Sequence, residues 1–257
     1  MKNADIYQCI QSLRLHLLDM SRVSQRTLDY SIKAFSLGSG EACTIVRDAA
    51  DDINILHRQI AEISSELLLM DLPAESDLRF ALSAARIGNA LLSVYIHASE
   101  IATTSRHLQK NGPTAGYVEL TRMGDVVNSL MRLCVVALFN KEVKHAETVL
   151  HHRGVARLFE RAFYDWHLGI DRRLTTLASC ELAITNGLSQ VAKQTQEIAE
   201  AVLFWVEGTE GGPATDIIRE PELELREQKT VTIPDGMEHF LLSIDVCFAD
   251  ASFWCRL

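Results

Sequence analysis

Arg153, Arg157 and Arg161 recur at intervals of four residues, the spacing that places side chains on one face of a helix. Like charges at this spacing destabilise a helix by roughly 0.2–0.5 kcal/mol per pair, so a compensating negative group is expected. One explanation is a solvated face, or ion pairs with Glu197 and Glu200. The alternative is a site for an anion or for a carboxylate of a partner protein.

Other reactive residue types do not combine into a catalytic site. Glu142 and His145 form an ExxH motif, but a di-iron bundle needs two such motifs and two further glutamates, and no second ExxH is present. We therefore expect these two residues in a solvated first turn of a helix. Cys180 precedes Glu181 on an apolar stripe, which favours a buried thiol over a nucleophile. The sequence also contains no GxSxG motif and no phosphate-binding glycine loop. We expect no catalytic residues and no enzymatic activity.

Asp77 and Arg79 stand where a long helix is predicted to begin. A carboxylate there complements the positive end of the helix macrodipole, and an arginine could pair with a neighbouring acid. Such structural roles compete with a second interpretation, in which both residues contact a partner protein. Both remain candidates for partner contact.

Long apolar stripes predict the helices that carry these residues. The first runs from Ile6 to Ala34 in steps of four and three, and the second runs from Ala42 to Met70 without a break. Stripes of this kind pair long helices side by side at shallow angles. Glycine and proline separate six predicted helices, of which the last three span about 115–140, 141–166 and 170–207.

The sequence contains this three-helix pattern twice. Met20, Val23, Ala34 and Val46 recur 103 residues later as Met123, Val126, Ala137 and Val149, and the segment 97–102 returns at 194–199. Repeats of this kind indicate an all-α fold of two tandem three-helix bundles, similar to spectrin-like repeats. The predicted domains are residues 1–111 and 114–208. Residues 209–257 form a C-terminal extension that could be a small hairpin or a helix.

Charge and composition exclude several classes of protein. The net charge of −9 argues against nucleic-acid binding, which needs a basic surface. The apolar run 133–139 is far shorter than the ~20 residues that span a bilayer, so we expect no membrane insertion. No signal peptide is recognisable, and six cysteines without a CxxC pair fit reduced thiols. We expect a cytoplasmic protein.

Several motifs resemble the phosphate-uptake regulator (PhoU) family. Residues 72–79, Leu-Pro-Ala-Glu-Ser-Asp-Leu-Arg, look like its "PxAxDLR" segment. Residues 17–20 and 120–123 are similar to its "LxxM" pattern, and residues 198–208 are similar to its "IAEEV..lveG" ending. The resemblance covers roughly residues 5–208 and implies the same two-bundle fold.

The family binds iron, zinc or other divalent ions through acidic pairs spaced E/DxxxD, and this chain departs from those pairs. The resemblance aligns them with Ala50 and Asn54, with Leu92 and Ile96, with Arg153 and Arg157 (or His152 and Ala156), and with Ser189 and Lys193. Among the aligned motifs His97 is kept. We therefore expect no metal and no other cofactor. We keep Arg153, Arg157, Lys193 and His97 as possible contacts for an anion or a partner.

The family resemblance also implies a function. Members are cytoplasmic adaptors that restrain phosphate uptake through the ATPase subunit of the phosphate ABC transporter and a membrane sensor histidine kinase. A homodimer is also implied. A second hypothesis keeps the fold without the pathway, as a scaffold for an unknown partner with residues 209–257 as its specific element. An enzyme or metal store is a third, which the missing ligands disfavour.

Overall fold

The computed structural model describes residues 2–70, 72, 74–110, 117–152, 154, 161 and 176–208. These residues form helices and connecting turns with no strand, which confirms the all-α prediction. All seven described helices belong to one unit, Met1–Ala214. The predictions for the 209–257 extension, for Arg153 and for Arg157 lie outside the described residues. The helices are α1 (Lys2–Ser36), α2 (Gly40–Asp48), α3 (Ala50–Leu69), α4 (Glu75–Lys110), α5 (Tyr117–Asn140), α6 (Val143–His151) and α7 (Thr176–Glu207).

The stripe predicted for α1 is buried along its whole length. Its later half is built from small polar residues whose hydroxyl groups bond to backbone carbonyls. Thr27 donates to the Ser24 carbonyl oxygen at 2.8 Å and Ser31 to that of Leu28 at 2.7 Å, while Ser24 reaches the Leu91 carbonyl oxygen of α4 at 3.2 Å. These bonds satisfy polar groups that would otherwise be costly to bury. The buried positions are Ile6, Ile10, Leu13, Leu17, Met20, Ser24, Thr27, Ser31 and Ala34.

The prediction of one unbroken helix from 42 to 70 was wrong. The structure divides this segment into α2 and α3 at Ala49, whose φ of −78° and ψ of −5° depart from helical geometry. Charges favour the break, because Arg47 lies in the last turn of α2 while Asp51 and Asp52 lie in the first turn of α3. Each complements the dipole end nearest to it. The apolar period continues across the break, so periodicity alone did not reveal it.

The predicted ends of the first and last helices are as expected, whereas the helix predicted over 141–166 is described only as α6 (Val143–His151), which ends at a C-cap on His152. Gly38 has a φ of 64°, a left-handed conformation that suits glycine, and Ser39 then caps α2 by accepting a hydrogen bond from the Ala42 amide at 3.2 Å. Gly208, with a φ of 75°, ends α7. Lys141 has a φ of 56° and makes the turn between α5 and α6. It is the one non-glycine residue with positive φ in the described part of the chain.

The helices pack as two related sets that meet along their long axes. In the first set α1 lies against α4 with α3 across both, and in the second α5 lies against α7 with α6 across both. The sets join through α4 on α7, the most extensive pairing, and through α1 on α5. Two glycines permit this approach: a Cβ on Gly187 would lie 2.7 Å from Ile101 Cγ1, and one on Gly124 would lie 3.1 Å from Ile32 Cγ2.

Several core positions that the sequence offsets match are buried in both sets. One buried cluster joins α1, α2 and α4 through Ala34, Ala42, Cys43, Val46 and Ala102, with Tyr30 packed against it. The offsets of 103 and 97 residues place its counterparts in the second set, and four of these are also buried. They are Ala137, Ala146, Val149 and Ala199.

Helix α5 is apolar enough to be confused with a membrane span. Residues Val118–Asn140 pass that test by length and composition, but 67% of the tested window is buried inside the protein. Helices of soluble cores pass the same test, so the apolar character of α5 is explained by its packing against α1, α6 and α7.

Candidate functional site

Arg79 ties the start of α4 to the end of α7. Its terminal nitrogen Nη1 lies 2.6 Å from the Glu75 carboxylate, and its Nε donates to the Trp205 carbonyl oxygen at 3.4 Å. The guanidinium also packs beside Gly208, where a Cβ would lie 3.3 Å from Nη1. Asp77 is half-buried in the first turn of α4. The structure therefore gives Arg79 a clear role in joining the two helix sets.

The positions of the first acidic pairs cannot hold a metal ion. Ile96 is 44% exposed and Leu92 half-buried on α4, while Ala50 and Asn54 lie on α3. None of these four side chains offers a carboxylate. His97 is half-buried, and its Nδ1 lies 3.1 Å from the Glu100 carboxylate one turn later.

The acidic pair that the resemblance aligns with Ser189 and Lys193 is also replaced by side chains that do not suit a metal ion. Ser189 is buried on α7 and Lys193 is exposed one turn later. The two carboxylates considered as partners for the arginine row, Glu197 and Glu200, each lie 3.9 Å from the Arg86 guanidinium of α4. Any pairing with the arginine row would therefore compete with Arg86.

No group of three or more potential metal ligands comes together among the residues whose positions are described. The ExxH pair illustrates why. His145 lies against Glu142 at the start of α6, so the imidazole is engaged by its own helix turn. The family's metal chemistry therefore has no donor set among the residues whose positions are described.

Two thiols bond to the backbone of neighbouring helices. Cys43 donates to the Ala102 carbonyl oxygen at 3.2 Å, and Cys134 to that of Thr195 at 2.9 Å. Burial raises the pKa of Cys134 far above its ordinary value. Burial, and secondarily the Glu181 carboxylate, also raise the pKa of Cys180. Because the thiolate is the nucleophile, these environments suppress reactivity.

Sequence reasoning missed a small cavity at one end of the bundle. Its volume is about 100 Å³. The rings of Phe80 and Trp205 are tilted by 41° with centroids 4.6 Å apart. The Arg14 guanidinium lies 5.4 Å from the Phe80 centroid, and the Lys141 ammonium lies 4.9 Å from the Trp205 centroid. These residues are up to 191 positions apart in the sequence, so no local sequence pattern predicts that they lie together. The complete lining is Arg14, Leu17, Phe80, Leu138, Phe139, Lys141 and Trp205.

The fold and the site together define a class of protein. It is an all-helical protein of two related helix sets, with long exposed faces and no metal or catalytic centre among the residues described. Residues 17–104 match the family model of the PhoU domain. Over these residues the chain is therefore similar to the PhoU family.

Two curated relatives extend the match beyond that domain. Proteins of Pseudomonas putida and Pseudomonas aeruginosa, both named phosphate-specific transport system accessory protein PhoU homolog, are each 24% identical to this chain. The alignments span 206 and 205 residues, which is 78% of this chain in both cases and 80% and 85% of the respective relatives. The likeness therefore runs through both helix sets.

Solved structures share the fold. The crystal structure of PhoU from Pseudomonas aeruginosa superimposes with a TM-score of 0.74 at 22% identity, covering 79% of this chain and 99% of that one. The phosphate transport system regulatory protein PhoU from Streptococcus pneumoniae gives 0.73 at 20% identity, covering 81% and 100%. At these identities the likeness establishes the architecture, and function needs its own argument.

Proposed function

We propose that this protein regulates phosphate transport by contact with other proteins and without catalysis. The observation that carries the proposal is the alignment over 206 residues to relatives named as accessory proteins of a phosphate-specific transport system. The PhoU family is an accessory rather than a catalytic family.

The partners follow from the family resemblance. We propose the ATPase subunit of a phosphate ABC transporter and a membrane sensor histidine kinase, met by a homodimer in the cytoplasm. Exposed apolar side chains on α4 support the protein-contact part of this proposal. Leu78 and Leu82 are 41% and 39% exposed one turn apart, and apolar groups at the surface are candidates for partner contact when they cluster.

We propose further that the protein works without a resident metal or other cofactor. The reason is the identity of the side chains at the family's acidic positions, where Leu92, Ile96, Ser189 and Lys193 provide no carboxylate. Metal analysis of the purified protein tests this directly. Stoichiometric iron or zinc that survives dialysis against a chelator would contradict it.

We propose that cations take over the electrostatic role of the metal at the family's acidic positions in the second helix set. Arg153, Arg157 and Lys193 would then bind an anion or a partner carboxylate. Titration of the purified chain and of the Lys193→Gln variant with phosphate measures anion binding at these positions. We expect the variant to weaken any phosphate effect; bound metal with no phosphate effect would refute the idea.

The main test is binding to the transporter ATPase encoded in the same genome. We expect the full chain to capture this subunit, and deletion of the gene to raise phosphate uptake in phosphate-replete medium. A return of uptake to its original level on re-expression of the protein is the control. Normal uptake in the deletion strain, together with no capture of the ATPase, would contradict the proposal.

A second function is favoured by one observation, the replacement of acidic positions by Leu92, Ile96 and Lys193. These changes suit a scaffold that has kept the fold and serves another partner, with residues 209–257 as the specific element. Capture of a different protein that requires the extension, without capture of the ATPase, would support this alternative.

A further inference from the structure

The cavity at the end of the bundle holds two cations without a matching acid. Neither Arg14 nor Lys141 forms an ion pair within 4.0 Å among the described residues. Arg14 Nε is also buried and lacks a hydrogen-bond partner. Such a donor is costly to leave unsatisfied.

The two cations are held in place by aromatic rings. Arg14 projects from α1 over Phe80 of α4, and Lys141 projects from the α5–α6 turn over Trp205 of α7. The positive φ of Lys141 makes the turn that brings its side chain there. Both helix sets therefore contribute one cation and one ring, and the cavity exists only because the sets are docked.

The remaining lining decides which anion fits. Leu17, Leu138 and Phe139 supply an apolar wall, and only Arg14 and Lys141 carry charged donors. An inorganic phosphate needs donors around several oxygens, and these two side chains leave most of them unmet. A carboxylate on a short apolar stem suits the site better, because the guanidinium can take it bidentately while the stem meets the apolar wall.

We propose that this cavity binds an acidic side chain, glutamate or aspartate, presented by a partner protein. Charge complementarity selects the carboxylate, and a volume of about 100 Å³ admits one such group with its methylenes. The cavity would be one contact surface through which the proposed function is carried out. This proposal rests on the proposed function in one respect, namely that the partner is a protein.

A peptide titration tests the chemistry of the cavity directly. Trp205 becomes the only tryptophan when Trp166 and Trp254 are replaced by phenylalanine, so its fluorescence reports on the cavity. We expect N-acetyl-Glu-Phe-amide to change this fluorescence saturably and the matching Gln peptide to have at least tenfold lower affinity. Saturation by inorganic phosphate but not by the Glu peptide would overturn the proposal in favour of a free oxyanion. No response to any of these probes would also overturn it and leave the cations a packing role only.

Charge removal tests the residues. The variants are Arg14→Gln and Lys141→Asn, the latter chosen because asparagine tolerates positive φ. Each should weaken Glu-peptide binding at least tenfold. The matched control is Arg26→Gln, because Arg26 lies on the same helix and stacks at 5.7 Å on Tyr30 but does not line the cavity. Lys141 is exposed, so its variant keeps the test valid if Arg14→Gln does not fold.

Binding to the transporter ATPase separates this proposal from the proposed function. Capture by the original chain and by Arg26→Gln, with at least tenfold weaker capture by Lys141→Asn, supports both. Equal capture by all variants overturns the cavity proposal and leaves the function standing. If the original chain captures no ATPase, the function fails, and the peptide titration still decides whether the cavity takes a carboxylate.

Discussion

The two helix sets agree in their interiors and differ on their surfaces. Val46 and Val149 occupy equivalent positions, and each is only 1% exposed. Ile96 and Lys193 are also equivalent by the 97-residue offset, and both are exposed, yet one is apolar and the other charged. Close packing tolerates few changes of volume, whereas surface positions accept most residue types. The matched positions are therefore alike where they are buried and differ in chemistry where they are exposed.

The largest expected effect is at the junction of the two sets. In the Gly187→Val variant the added carbons would collide with Ile101, since even the Cβ would lie 2.7 Å from Cγ1. We expect a loss of about 2–3 kcal/mol in the free energy of unfolding, measured with urea. Gly40→Ala is the control, because a Cβ there meets nothing within 4 Å. An unchanged midpoint for Gly187→Val would mean that α4 and α7 are not in contact as described.

The matched cores should respond alike. Val46→Ala and Val149→Ala each remove two buried methyl groups, so each should cost about 2 kcal/mol of stability in the same urea assay. Val118→Ala, at a position 59% exposed, should change stability by less than about 0.5 kcal/mol. A cost at one valine more than twice that at the other would break the equivalence of the two cores.

The buried thiol of the second set should make stability depend on alkaline pH. The pKa of Cys134 is raised by burial, so the folded protein keeps the proton while the unfolded chain releases it above about pH 8.5. Stability is thus present below that pH and is lost as pH rises, at about 1.4 kcal/mol per pH unit for this group. Cys134→Ala should show a shallower decline of the urea midpoint between about pH 8 and pH 10. Parallel declines in the two proteins would contradict the prediction.

The smallest expected effect is on the surface. His97→Gln introduces the residue that the second set carries at the equivalent position, Gln194. The substitution removes the imidazole that pairs with Glu100, a side chain 65% exposed, so stability should change by less than about 0.5 kcal/mol. A shift of the thermal midpoint well beyond about 2 °C would show that His97 has a structural role that the other set lacks.

The sequence by itself determined which faces of the helices are buried. The period of the stripe in α1 selected nine positions, and all nine are buried, because side chains three and four residues apart share one face of a helix. Backbone preferences and capping chemistry likewise predicted the helix ends at Gly38, Ser39 and Gly208. These are local properties, so a single sequence carries them.

Only the tertiary structure decided how distant segments meet. The break at Ala49 leaves the apolar period intact, so the period of the stripe did not reveal it. The same holds for the carboxylates of Glu197 and Glu200, which face Arg86 of another helix. The cavity is the clearest case, because Arg14, Phe80, Lys141 and Trp205 come from four elements. Hydrophobic burial is non-directional, and the particular pairs are set by the docking of α4 on α7 and of α1 on α5.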